Sequence, residues 1–395
     1  MLSCRAPTAN SKPGGSIHGA TSGRRRDEKR PIRVTRPPLH AVVVPGSGIV
    51  IPAHILTPPG VAAILGPTPA GCQEVRTVTY PGSKSMSHSD LNIALVGMGV
   101  WGIKIAERLL SGGVTLDVID LDPTARESAQ RLGARSVSDQ LEMAADIHGI
   151  VIATPSTSHF HLIRTLAGAG IPIFVEKPLT TNVRQARGLT RLESTPVFVM
   201  HTWLYHPGIE LMSAIAANRD LGELLYLRTI RTGWTSPRKD TDTVWNLLPH
   251  DLTIARAILG YYPEPTHATA ELHDGVARGM VCVFGHRPFV ATEISNRYMD
   301  RRREVRLHFE RGIVVLPDEK TTHIDIYRGD HRSEMDEIIH ERRKFSLKPD
   351  PLECELAAFL RYLKGGPEPQ SSLADGVEVV ERIEKVRCLA RLPDA

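Results

Sequence analysis

Aromatic residues make up only 5% of this 395-residue chain, and its five cysteines (Cys4, Cys72, Cys282, Cys354 and Cys388) are odd in number, widely spaced and never in a Cys-x-x-Cys pair. That excludes a disulfide framework and a cysteine zinc site, and no other metal site is expected. A reducing, cytoplasmic compartment is the simplest expectation. Long apolar runs are also missing. Nothing approaches the roughly 18 to 20 residues that span a bilayer, and the best candidate, residues 48–65, is broken by Pro52, Pro58 and Pro59. No membrane partner is expected.

A large charge of one sign is absent too, because the formal net charge is only +4. The average hides an uneven distribution. Residues 1–85 hold 11 Lys or Arg against 3 Asp or Glu, and residues 86–395 hold 37 against 41. The leader also carries 12 prolines and 10 glycines, a composition that favours a disordered segment without a core of its own. Its basic run, Arg24, Arg25, Arg26, Lys29 and Arg30, reads as a solvated charge run rather than a nucleic-acid site. Met86 is read as the natural start, which places the first strand a few residues after an initiator.

From there strands and helices alternate, as a parallel sheet with crossover helices requires. Residues 91–102, LNIALVGMGVWG, join an apolar run to Gly97, Gly99 and Gly102 in GxGxxG spacing, with Val100 and Trp101 between the last two glycines. Gly97 suits a tight turn, Gly99 lets backbone approach a pyrophosphate, and Gly102 lets the next helix pack on the strand. The helix start then offers unpaired N–H groups and a partial positive charge to phosphates. A second strand, 114–119, ends in Asp120, 23 residues past Gly97. A carboxylate there accepts hydrogen bonds from ribose hydroxyls and repels a 2′-phosphate, so NAD is expected rather than NADP.

Further strands are expected at 149–154, 171–175 and 196–200, with a helix at 159–169 between the first two. After about residue 207 the pattern changes to β-like runs at 224–232, 279–284, 290–295, 304–309 and 312–316, helices at 208–217 and 250–259, and two closing helices at 351–364 and 372–389. The fold class is α/β: an N-terminal doubly wound parallel (Rossmann) sheet at 86–207 and a C-terminal α+β domain at 208–395 with an open, mostly antiparallel sheet.

Ligands of doubly wound sheets bind outside the carboxyl ends of the strands. Three segments lie there: Ala153, Thr154 and Pro155; Glu176, Lys177 and Pro178; and His201 to Pro207, HTWLYHP. A strand-end Lys can donate to a substrate oxygen or relay a proton. His250, in WNLLPHDL, follows a proline suited to a first helical turn, and imidazole suits taking a proton from an alcohol. His159 and His161 are two apart on a helix and point to different sides, against a metal pair. Arg301, Arg302 and Arg303 read as a solvated turn rather than a diphosphate site.

These motifs together resemble the glucose-fructose oxidoreductase and inositol dehydrogenase family, through GMGVWG, the ATPxxxH stretch from Ala153 to His159, EKPL from Glu176 to Leu179, HTWLYHP, LGELLYLR and PHDL. The patterns are most similar to bacterial enzymes that oxidise position 3 of nucleotide-linked N-acetylamino sugars. The resemblance implies Lys177 and His250 as the catalytic pair. It places Thr154, Pro155 and His159 beside the nicotinamide, with Glu176 and Lys177 in the same cofactor wall, and Tyr205, His201 and Trp203 near substrate. It also implies an open sheet used for homo-oligomer packing, as a dimer or tetramer. One departure stands out: the family has Asp four residues before its histidine, where this chain has Asn246, an amide that can position substrate or Lys177 but cannot serve as a carboxylate base. The implied activity is NAD-dependent oxidation of a secondary alcohol of a sugar, sugar nucleotide or cyclitol. The alternatives are a ketoreductase of deoxysugar synthesis using the same residues, and a catalytically silent sugar- or NAD-binding regulator.

Overall fold

In a computed structural model of the chain, the described residues are 89–393, apart from 193–194, 236–239, 330–331 and 335–336, together with 42–43 and 50–51. The chain divides into two compact units, Met1–Gln73 and Glu74–Ala395. In the first, Val42–Val43 (β1) pairs antiparallel with Val50–Ile51 (β2). Cys4, Cys72, the basic run of the leader and Met86 lie outside the described residues.

The second unit opens with Asn92–Val96 (β3), Val100–Ser111 (α1), Thr115–Ile119 (β4), Pro123–Leu132 (α2), Ser136–Ser138 (β5) and Gly149–Ile152 (β6). His159–Leu166 (α3), Ile173–Glu176 (β7), Val183–Leu189 (α4) and Val197–Met200 (β8) follow. All six strands from β3 to β8 run parallel in the order β5-β4-β3-β6-β7-β8. The order reverses at β3 and β6, which is the topological switch point where such sheets bind nucleotides.

Both faces of this sheet are covered, and β3 shows why its sequence is apolar throughout. Ile93 and Leu95 enter one core with Ile105 and Leu109 of α1, while Ala94 and Val96 enter the other with Ile163 of α3. Side chains alternate across a strand, so a strand covered on both faces needs an unbroken apolar run.

Pro207–Asn218 (α5), Leu224–Trp234 (β9), Thr243–Leu259 (α6), Pro265–His273 (β10), Val276–Phe284 (β11), Phe289–Ser295 (β12), Arg297–Phe309 (β13), Gly312–Leu316 (β14), His323–Arg328 (β15) and Ile339–Lys344 (β16) form the second layer system. Its eight strands lie in the order β10-β11-β12-β9-β13-β14-β15-β16, antiparallel except for β12 beside β9. One face packs on α6 and α5 through Leu227, Met280, Cys282 and Ile294. The other carries Val281, Phe289 and Tyr327 exposed and a ring ladder of Phe289, Tyr226 and His308.

The chain then returns. Pro351–Leu363 (α7) packs on the α1 side of the parallel sheet, where Phe359 stacks on Phe174 at 4.9 Å, and Leu373–Leu389 (α8) packs on the α4 side. Both helices start with a reciprocal capping box, Asp350 with Glu353 and Ser372 with Asp375.

One expected boundary is corrected. α6 begins at Thr243, seven residues before His250, and Pro249 lies inside the helix rather than at its first turn. The start is set by Asp242, whose carboxylate accepts the Val244 and Trp245 N–H groups at 3.0 and 3.1 Å. An aspartate that satisfies two orphan donors is a stronger start signal than a proline, which merely lacks an N–H. Asn246 and His250 are consequently one helical turn apart on the same side of α6.

Candidate active site

The glycine-rich turn connects β3 to α1. Gly97 has φ +96°, and a Cβ there would lie 2.8 Å from the backbone of Ala153 and Thr154. A Cβ on Gly102 would collide with the Gly97 carbonyl oxygen. These two glycines are fixed by the protein's own packing. Gly99 differs: a Cβ there meets nothing within 4 Å, so its smallness keeps space open above the helix start.

That start has no side-chain cap, and the apolar side chains around it, Val100, Trp101 and Leu121, are 79%, 36% and 84% exposed. Asp120, at the end of β4, accepts the Met98 N–H at 2.6 Å and the Asp122 N–H at 2.8 Å, which holds its carboxylate against the turn. An uncapped helix N-terminus, an open glycine cradle, exposed apolar side chains and a fixed carboxylate together fit a dinucleotide. Gly97, Gly99, Val100, Trp101, Gly102 and Asp120 are all brought to this one edge.

The next loops close beside it. His159 is fully buried, its Nδ1 2.9 Å from the Pro178 carbonyl and its Nε2 3.0 Å from the Thr154 carbonyl, so the ring staples the loop after β6 to the loop after β7. It forms the wall under Thr154 and Pro155 rather than its surface. Ser156, in the same loop, gives its N–H and hydroxyl to Asp240 at 3.3 and 3.2 Å. His161 is exposed on the other side of α3, and no metal-holding group occurs among the described residues.

Lys177 follows β7 with a cis bond to Pro178. It is 7% exposed, and its Nζ donates to Asn246 twice, to the backbone carbonyl at 2.9 Å and to Oδ1 at 3.2 Å. Pro249 has no N–H for the Trp245 carbonyl, and the loosened turn of α6 is the one that receives the lysine. Asn246 thus orients the ammonium.

His250 lies one turn on, half-buried, with Nδ1 lacking a partner among the described residues. Burial, and then the charges of Lys177, Arg231 and Arg303, lower its proton affinity well below the usual imidazole range. Asp251, next along α6, forms a buried pair with Arg231 of β9 at 3.0 Å, and this pair fixes the helix to the sheet.

His201, 1% exposed, faces the same lysine, and both its ring nitrogens lack partners among the described residues. Burial, with the Lys177 charge, depresses its pKa to about 3. Trp203 is 7% exposed between Arg231, 4.6 Å from its ring centre, and His206, stacked at 5.1 Å. The Tyr205 hydroxyl accepts the Gln370 N–H at 2.9 Å, and burial pushes its proton affinity up. Of the three residues expected near substrate, His201 faces Lys177 and the other two are committed to neighbours. A cleft of about 440 Å³ opens between Trp101, Lys104, Thr202, Trp203 and His206; neither Lys177 nor His250 lines it.

Sequence reasoning missed Glu355, Asp240, Leu121 and the Arg231–Asp251 pair. Glu355 is fully buried on α7. Its one available signal was a carboxylate among the apolar positions of α7, where Leu352, Leu356 and Phe359 are buried. Arg301 binds Asp318 and Glu319, and Arg303 binds the Thr232 carbonyl, so these arginines are engaged with their own fold.

Comparison with known proteins agrees with this geometry. Residues 91–200 match the model of an oxidoreductase family with an NAD-binding Rossmann fold. The chain is 25% identical over 266 residues to an inositol 2-dehydrogenase of Rhizobium meliloti, an alignment covering 61% of this chain and 79% of that one. It is 25% identical over 183 residues to a UDP-N-acetylglucosamine 3-dehydrogenase of Acidithiobacillus ferrooxidans, covering 45% and 57%. Several other curated relatives are matched over only about a third of their own length. Among solved structures, a levoglucosan dehydrogenase in complex with NADH and levoglucosan superposes with a TM-score of 0.68 at 16% identity, over 76% of this chain and 97% of that one. The fingerprint, the switch-point geometry and the match over β3 to β8 make residues 91–200 similar to the NAD-binding Rossmann domain of that oxidoreductase family.

Proposed function

We propose that the chain is an NAD-dependent dehydrogenase that oxidises a secondary alcohol of a sugar, sugar nucleotide or cyclitol. The observation that carries this reading is the placement of Lys177 Nζ, at the end of β7, on Asn246 one helical turn from His250, beside the glycine cradle. Gly97, Gly99, Val100, Trp101, Gly102 and Asp120 hold the dinucleotide, and Thr154, Pro155, Glu176 and Lys177 form the wall next to it. Bound there, NAD supplies the hydride acceptor.

The protein's own groups handle the substrate oxygen and its proton. His250 is neutral and so able to take the hydroxyl proton. The Lys177 ammonium, oriented by Asn246, donates a hydrogen bond to the oxygen as it becomes a carbonyl. The inositol and sugar-nucleotide relatives support an alcohol of this class; in the reverse direction the same residue would have to carry the proton and return it to the oxygen.

We place the boundary between nucleotide and substrate domains at residues 207 and 208, and a cytoplasmic location is the reading that its scattered cysteines favour; Cys282 and Cys354 are free, and no helix among the described residues is long and apolar enough to cross a membrane. The open face of the eight-stranded sheet, with Val281 and Phe289 47% and 41% exposed, supports a homo-oligomer, because contiguous exposed apolar patches mark association surfaces.

The test is nicotinamide reduction by the purified protein with a panel of inositols, sugars and nucleotide sugars, with NAD and NADP compared. Turnover with at least one member and preference for NAD are expected. Binding of NAD and a sugar without turnover would favour the silent regulator instead.

A further inference from the structure

Behind Lys177 lies a second carboxyl that the proposed chemistry does not use. Glu355 comes from α7 and is fully buried. Its Oε2 accepts the Thr202 hydroxyl at 3.1 Å, the His201 backbone N–H also bonds the carboxyl, and Oε1 has no partner among the described residues. Glu176, the residue before Lys177, is 7% exposed and accepts the Lys177 backbone N–H on Oε2 at 3.1 Å. Its charge bears directly on Glu355.

Two buried carboxyls that feel each other's charge cannot both ionise without a large cost, so one of them stays protonated. The surroundings decide which one. Glu355 is fully buried, touches one hydroxyl and one N–H, and has no cation against it; the remaining charged neighbour from its own side is Glu176, with the Tyr205 ring adjacent. Glu176 ends the strand, its carboxylate held on the Lys177 backbone N–H. Burial and then the Glu176 charge push the Glu355 proton affinity well above the ordinary carboxylate range. Around Lys177 the other groups are Asn246 and His250 of α6 and His201 after β8, and burial keeps both imidazoles neutral.

We propose that Glu355 is a positioning residue: as a buried, neutral carboxylic acid it leaves Glu176 as the single negative charge at the shoulder of Lys177. It works through Lys177, and the proposal rests on the reading of Lys177 as the group that meets the substrate oxygen.

Two measurements test it. Infrared spectra of the full chain without ligands report the proton directly. At neutral pH, where an exposed carboxyl is ionised, the parent shows a protonated-carboxyl C=O band that Glu355→Gln removes. In Glu176→Gln, which takes away the neighbouring charge, the band titrates at lower pH. A parent without the band, or a band that Glu176→Gln removes and Glu355→Gln leaves, overturns the proposal. The second readout is the pH dependence of turnover. The limb that Lys177→Ala abolishes stays at its parent position in Glu355→Gln, whatever the rate, because the pair still carries one charge. It moves to lower pH in the double variant Glu176→Gln/Glu355→Gln, where that charge is gone. A limb moved as far by Glu355→Gln alone as by the double variant, or moved by neither, also overturns it. If Lys177→Ala retains turnover, the catalytic reading falls while the infrared result still stands, so the two failures are distinguishable.

Discussion

A histidine that takes a proton from an alcohol works only in its neutral form, and His250 is kept neutral by burial and by the cations Lys177, Arg231 and Arg303. The parent is therefore expected to show no acid limb from this residue in kcat/KM across the range of about pH 5 to 8 where an unperturbed imidazole titrates. Asn246→Asp places a carboxylate one turn before it and beside Lys177. The added negative charge raises imidazole proton affinity, so an acid limb enters this range and the pH optimum moves upward. A pH profile of the variant that overlays the parent would show that position 246 does not act on His250. At this scale the sequence was readable where a motif carried the residue: Lys177, His250 and the missing carboxylate at Asn246 all lie in short signatures. Glu355 was not readable, because its meaning depends on Glu176, a partner 179 positions away that only the return of α7 to the first sheet supplies.

Among elements, β3, α1 and β4 were plain in the sequence because glycine spacing and unbroken apolar runs are local signals. β16, IHERRK, and the first half of β13, RYMDRRR, carry almost no apolar pattern. They are strands because neighbours supply the ladder, and β16 sits at the edge of the sheet, where charged side chains are tolerated. β10, PTHATAELH, lies at the other edge and is hidden for the same reason. The cradle makes a separable prediction. Gly102→Ala drives a methyl into the Gly97 carbonyl, so it is expected to lower the melting temperature together with NAD affinity. Gly99→Ala adds a methyl where the protein has nothing within 4 Å, so the melting temperature of the ligand-free protein holds while NAD affinity falls. Calorimetric titration and thermal melting of both variants check this; unchanged NAD affinity in Gly99→Ala would remove the pyrophosphate from that position.

For the whole molecule, the two imidazoles around Lys177 have a cost in acid. The pKa of His201 lies near 3 in the fold, and that of His250 is also far below the ordinary value of 6.5. Below the unfolded value the unfolded chain binds protons that the folded chain does not, so stability rises with pH there and is lost as pH falls from about 6.5 toward the folded values. Each such histidine contributes a slope of up to about 1.4 kcal/mol per pH unit. Denaturant unfolding between neutral and mildly acidic pH checks the slope, which His201→Gln is expected to reduce; an equal slope in that variant would show that His201 charges freely in the fold. The parallel sheet and the mostly antiparallel sheet that follows it were legible from the change in strand pattern, but not the return of α7 and α8 onto the first sheet, since amphipathic helices name no partner. That return brings Glu355 to Glu176, just as α6 brings Asn246 and His250 to Lys177, and the central claim is that the latter three groups oxidise an alcohol beside NAD. It is tested most directly by single-turnover nicotinamide reduction in the parent, Lys177→Ala and His250→Ala, with NAD affinity measured on the same samples. The rate should fall roughly 10²- to 10⁴-fold in each variant while NAD affinity stays within a few-fold; parent-like rates in both variants would contradict the assignment.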